Sequence, residues 1–153
     1  MTSDIFHVHD HSTDVHMGAI VMIAHHLRRR GYTDVRTTDR LPHNDVGVQG
    51  PEIDISAWHH DMRIDPYGRK TNIDTKIGIE VEDEPFNKQN LINKWDKYRG
   101  HGIKVLYVVV FDKVRGKKDF GADGNGNPRD IRVYVLNPKD LAGTCRGFAE
   151  AVL

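Results

Sequence analysis

The chain has 153 residues, enough for one domain that buries its own core. Apolar residues make up 38% and charged residues 29%, and the longest apolar run, Val105 to Phe111, falls far short of the roughly 20 residues of a membrane span, which excludes a membrane protein and a disordered acidic tail. The 22 basic residues balance the 22 acidic ones, which argues against a protein that coats nucleic acid by bulk charge. Cys145 is the only cysteine, so no intrachain disulfide forms, and no basic-apolar-small leader is visible at the start. The expected location is therefore intracellular, in a reducing cytoplasm.

Residues 1 to 12 are polar and rich in histidine, and are expected to form a flexible arm ahead of a single domain over 13 to 153. Ser12 or Thr13 can cap a helix near 13 to 30, in which Val15, Ala19, Met22, Ile23 and Leu27 recur at helical spacing. Arg28 to Arg30 suit the negative end of its dipole, and Gly31 can close it. Thr33 to Thr38 reads as a strand and 41 to 50 as a loop. A second strand follows over 52 to 59, and the turn residues Asp65-Pro66-Tyr67-Gly68 suggest a hairpin joining 52–64 to 73–82. Ile77, Ile79 and Val81 alternate with Gly78, Glu80 and Glu82, the period of a half-buried strand.

Pro85 opens a second helix near 86 to 99, with Leu91, Ile92, Trp95 and Tyr98 as its apolar stripe. The apolar run 104–111 reads as a buried central strand, 115–129 as a polar loop and 131–136 as a further strand. Asn137-Pro138 starts a last helix with Leu141, Phe148 and Val152 inward. The expected fold class is α/β, in the order α-β-β-β-α-β-β-α.

The residues that carry chemistry lie in Pro51-Glu52-Ile53-Asp54-Ile55 and Ile79-Glu80-Val81-Glu82. Positions i and i+2 of a strand share a face, so Glu80 and Glu82 project together, opposite Ile79 and Val81. If the two strands pair, Asp54 joins them. Three carboxylates on one face repel one another unless a cation neutralises them, and hard oxygen ligands suit Mg²⁺ or Mn²⁺. The bland alternative is a half-exposed hairpin with a polar face.

This arrangement of helix, strand, Asp strand, Glu-x-Glu strand, helix and strand, with Pro51 and Asp54 ahead of Glu80 and Glu82, resembles the PD-(D/E)xK nuclease superfamily over roughly 13 to 111. Glu82 stands where the motif usually has lysine, and Pro51 is separated from Asp54 by two residues. The resemblance implies a restriction-endonuclease-like mixed central sheet flanked by helices and a metal-dependent endonuclease acting on DNA, with RNA not excluded. Asp54, Glu80 and Glu82 would then ligate Mg²⁺ or Mn²⁺, and Glu82 would orient the attacking water. Lys88, inward on a helical wheel in the first turn of the second helix, is the candidate for the missing lysine, against an ordinary surface lysine.

Between Lys88 and Lys118 nine Lys or Arg face only Asp96 and Asp112. Of these, Lys94, Lys97, Arg99, Lys113, Arg115, Lys117 and Lys118 are candidate phosphate contacts, and a solvated basic face is the alternative. Asp123 to Asn127 resembles a calcium loop but lacks the closing glutamate, so it reads as a hairpin turn. His59 and His60 lead out from the Asp strand and could assist there, while His7-Val8-His9 could ligate a metal. Two rival functions therefore stand beside the nuclease: a non-catalytic nucleic-acid-binding module on the same fold, and a His-dependent metalloprotein. A homodimer would suit double-strand cutting.

Overall fold

The structure, a computed structural model, describes residues 14–41, 50–82, 87–111 and 119–153. Helix α1 (Asp14–Arg29) precedes three strands, β1 (Thr33–Arg40), β2 (Glu52–Ile64) and β3 (Lys70–Glu82). Helix α2 (Lys88–Arg99) leads to β4 (Ile103–Val110) and β5 (Ile131–Val135), and α3 (Leu141–Val152) closes the chain. The element order is the expected one. The five strands lie side by side in chain order, β1 to β3 antiparallel and β3 to β5 parallel, so the sheet is mixed. Parallel neighbours need a long crossover, which α2 supplies between β3 and β4.

Helices cover both faces. On one side α1 and α3 pack over Val35, Ile55, Ile79, Val81, Tyr107 and Val109, with Phe148 and the buried Cys145 contributed by α3. On the other, Leu91, Trp95 and Tyr98 of α2 pack over Ile53, Leu106, Val108 and Val110. β4 thus sends alternate residues into two cores, which is why its sequence is apolar throughout. No helix among the described residues is long and apolar enough to cross a membrane.

Two local features depart from simple alternation. Ile53 and Ile55 are two apart in β2 and should share a face, yet they enter opposite cores. The crossover falls at Asp54, beside a β1 segment in which Thr38 has φ of 47°. Ile53 then overlies Gly78, where an added Cβ would lie 2.5 Å from the Ile53 Cδ1. A larger residue at position 78 would push Ile53 off the sheet.

The last helix also starts later than its sequence suggests. Pro138 belongs to a single 3₁₀ turn, Pro138–Asp140, and α3 proper is capped by Asp140, whose Oδ1 accepts the Gly143 N–H at 3.2 Å. A Cβ on Gly143 would collide with that carboxylate, so the glycine makes room for the cap. The β2–β3 hairpin extends to Ile64 and Lys70, and Asp65 shapes its turn by accepting the N–H groups of Tyr67 and Arg69 at 2.9 and 2.8 Å.

Candidate active site

The site grows out of the place where β2 and β3 part. Their paired register ends at Ile55 opposite Ile79. One residue further on, side chains replace the backbone ladder. Asp54 Oδ2 accepts the Val81 N–H at 2.7 Å, and the Asp54 N–H points to Glu80 Oε1 at 3.4 Å. His16, in the first turns of α1, places its Nε2 3.4 Å from Asp54 Oδ2. Asp54 is therefore fixed from both strands and from α1.

Helix α2 meets the same region by a match of spacings. Residues i and i+4 of a helix rise about 6 Å, and residues i and i+2 of a strand rise about 6.6 Å. Lys94 and Tyr98 consequently stand over Glu82 and Glu80. The Lys94 ammonium pairs closely with Glu82 Oε1 and lies 3.4 Å from Glu80 Oε2. The Tyr98 hydroxyl lies 2.7 Å from Glu80 Oε1 and 2.8 Å from the Glu52 carbonyl oxygen. It ties α2 to β3 and to the start of β2.

Burial dominates the electrostatics. Glu80 is only 5% exposed, and its carboxyl is pushed up to about 8 by loss of water, with the Asp54 charge adding to the rise. Lys94 and the Tyr98 hydrogen bond act in the opposite direction, and Glu82 raises it further. For Lys94, burial works against the charge, but Glu80 and Glu82 outweigh it and hold the ammonium above its ordinary value. Burial, then the adjacent Glu80, also raises the Tyr98 phenol, which stays protonated and able to donate.

The structure thus brings Asp54, Glu80 and Glu82 to one end of the β2–β3 pair, and it places Lys94, not Lys88, against them. Lys88 is exposed in the first turn of α2, 6.0 Å above the Phe120 ring. Lys94, expected at a phosphate surface, instead neutralises the carboxylates. Lys97 is exposed on the outer side of α2, and Arg99 is paired with Asp123. Lys113, Arg115, Lys117 and Lys118 lie outside the described residues, as does the His7-Val8-His9 arm. His59 stacks on Tyr32 at 4.9 Å, and His60 bonds Asp74 at 2.7 Å and the Thr33 hydroxyl, so both are engaged away from the acidic site. Asp123 accepts backbone N–H groups of Asn125 and Asn127 at 2.8 and 3.1 Å, the geometry of a turn.

Tyr98 and His16 were not singled out from the sequence. Tyr98 reads as part of an apolar stripe, although its place four residues after Lys94 puts the two on one helix face. His16 sits among several histidines, and nothing in its spacing marks it.

Among the described residues no three His, Cys, Asp or Glu side chains enclose a metal ion as they stand, since the Lys94 ammonium lies where Glu80 and Glu82 meet. The donor chemistry nonetheless fits a hard divalent cation. Asp54 Oδ1 and Glu82 Oε2 hold no hydrogen bond among the described residues, and repulsion among the three carboxyls favours a positive charge. No protein-family model matches the chain, and no curated protein matches it.

Proposed function

We propose that the protein is a metal-dependent endonuclease with a restriction-endonuclease-like fold, hydrolysing phosphodiester bonds in DNA. The observation that carries this reading is the buried Glu80, set between Asp54 and Glu82, with Lys94 reaching in from α2. An acidic cluster beside an oriented lysine has the parts needed to bind a cation and to meet a phosphate.

Asp54, Glu80 and Glu82 would hold Mg²⁺ or Mn²⁺, which supplies charge for a phosphodiester oxygen and lowers the pKa of a bound water. Lys94 takes the part assigned from the sequence to Lys88, offering its ammonium to the negative charge that grows on the phosphate. Glu82, the more exposed of the Lys94 partners, accepts the proton of the attacking water. Tyr98 holds Glu80 in place through Oε1. Phosphate contacts from exposed residues such as Lys97 fix the position of the strand without reading its sequence.

A second reading, a nucleic-acid-binding module without catalysis, is favoured by one observation: the Lys94 ammonium already sits against both Glu80 and Glu82. Single-turnover cleavage of plasmid, linear and branched DNA with Mg²⁺ or Mn²⁺ separates the two. The nuclease reading requires cleavage by the wild type and its loss, by about 10²-fold or more, in a folded Glu80→Ala variant. An active Glu80→Ala protein rejects the mechanism, and a wild type inactive on every substrate and metal selects the binding module.

A further inference from the structure

Beside the acidic site, on the α2 side of the sheet, β1, β2 and β3 carry a cleft of about 240 Å³. Its lining holds the indole of Trp58, the cations Arg36, Arg40 and Lys76, and the carboxylates Asp34 and Asp39, the latter accepting the Ser56 hydroxyl at 3.3 Å. Trp58 and Lys76 are cross-strand partners, so the ring and the ammonium stem lie side by side on one face. Arg36 is held by Asp34 at 2.9 Å, and Arg40 by Glu52 at 2.9 Å and the Gly50 carbonyl at 3.0 Å. Lys76 makes no ion pair among the described residues.

Ile53, which overlies Gly78, and the core beneath α2 separate the cleft from Glu80. Lys76, Gly78 and Glu80 occupy alternate positions of β3 and line the same face, with about 13 Å between the first and the last. Its volume lies below the roughly 300–1,000 Å³ of ordinary small-molecule pockets, so it admits one planar ring system and not a base pair. An aromatic face offers stacking to any base, but only to a base that has left its partner.

We propose that this cleft binds one unpaired nucleotide of a nucleic-acid strand, its base stacked on Trp58 and its phosphate on Lys76. The proposal rests on the nuclease reading for the class of ligand, and it narrows that class to single-stranded or locally opened nucleic acid. Arg36 and Arg40, held in place by their carboxylate partners, border the base and sugar. The Arg36–Asp34 pair leaves Lys76 as the lining cation with no ion pair among the described residues.

The test is binding without cleavage. With divalent metal chelated, fluorescence anisotropy measures the affinity of labelled oligodeoxythymidylate, oligouridylate and a blunt hairpin duplex of equal length. Wild type, Trp58→Ala, Trp58→Phe and Lys76→Gln are compared, with melting temperatures recorded for each. The expected result is tighter binding of the single strands than of the duplex, with about a tenfold loss in Trp58→Ala and near-retention in Trp58→Phe. Lys76→Gln should weaken binding and lower the slope of log affinity against log salt by about 0.7. The DNA and RNA strands tell which sugar the cleft accepts. If Trp58→Ala is unfolded, Lys76→Gln and the preference for single strand over duplex still decide. A duplex preference, or single-strand affinity indifferent to both Trp58 and Lys76, overturns the inference. Trp58-dependent strand binding by a wild type that never cleaves would retain the cleft and reject the nuclease. Glu80-dependent cleavage with no Trp58 effect on binding would do the reverse.

Discussion

Replacing Glu80 by glutamine removes a buried carboxyl while keeping its shape, and the burial of that group fixes how stability should change with pH. Below the ordinary value of 4.5 the carboxyl is protonated in both the folded and the unfolded chain, so it contributes nothing. Between 4.5 and about 8 the unfolded chain releases its proton while the folded protein keeps it. Wild-type stability therefore falls as pH rises through this window, and the loss is complete above about 8. Moving one carboxyl over that interval corresponds to at most about 5 kcal/mol. Glutamine does not titrate. Its Oε1 still accepts from Tyr98, and the altered contact with Lys94 adds only an offset that does not vary with this proton. The readout is the difference in melting temperature between Glu80→Gln and wild type, measured from pH 5 to pH 9 with metal chelated. At about 2–4 °C per kcal/mol, the variant should gain on the order of 10 °C relative to wild type across the range. A difference that stays flat from pH 5 to pH 9 would refute the argument that burial and the Asp54 charge hold the proton on Glu80.

The other predictions concern the neighbours of Glu80. Lys94→Met removes the ammonium shared by Glu80 and Glu82, so single-turnover cleavage should fall on the order of 10²-fold, whereas Lys88→Ala should leave it nearly unchanged. Equal losses in the two variants would return the catalytic part to Lys88. Tyr98→Phe deletes the hydroxyl between Glu80 and the Glu52 carbonyl and should cost about 1–3 kcal/mol in urea denaturation. It should also shift the wild-type pH dependence upward, because that hydrogen bond favours the ionised carboxyl. Asp54→Ala leaves the Val81 N–H without its acceptor and should cost a further 1–3 kcal/mol or so, with faster amide exchange at Val81, while Asp54→Asn keeps most of the stability.

Much of the fold was legible because its signals are local. The alternation of Ile77, Ile79 and Val81 marks β3, the unbroken run before Phe111 marks a strand buried on both faces, and Asp65 to Gly68 marks the turn between β2 and β3. The same alternation failed at Asp54. Counting parity assumes a uniform strand, and here Ile53 and Ile55 enter different cores. The helical wheel likewise gave Lys88 an inward direction but no height along the axis. Which lysine reaches Glu80 depends on where α2 starts relative to the end of β3, and that is set by tertiary packing of Leu91, Trp95 and Tyr98. Tyr98 was legible as a ring and not as a donor, since only the three-dimensional position of Glu80 and the Glu52 carbonyl gives its hydroxyl a task.

The parting of β2 from β3 also constrains how this chain can change over evolutionary time. Asp54 is at once an acidic side chain of the site and the acceptor that holds the Val81 N–H where the strand ladder has stopped. A lineage that no longer needed the chemistry could not simply discard the residue, because most replacements would strand a backbone donor between two strands. Asparagine is the nearest exit: it keeps an acceptor oxygen and gives up the charge. On the nuclease reading, drift from cutting to binding alone would therefore pass more readily through position 54 as Asn than as Ala. Loss of Glu82 would strand no backbone donor, since its one hydrogen-bond partner among the described residues is the Lys94 side chain, which also reaches Glu80.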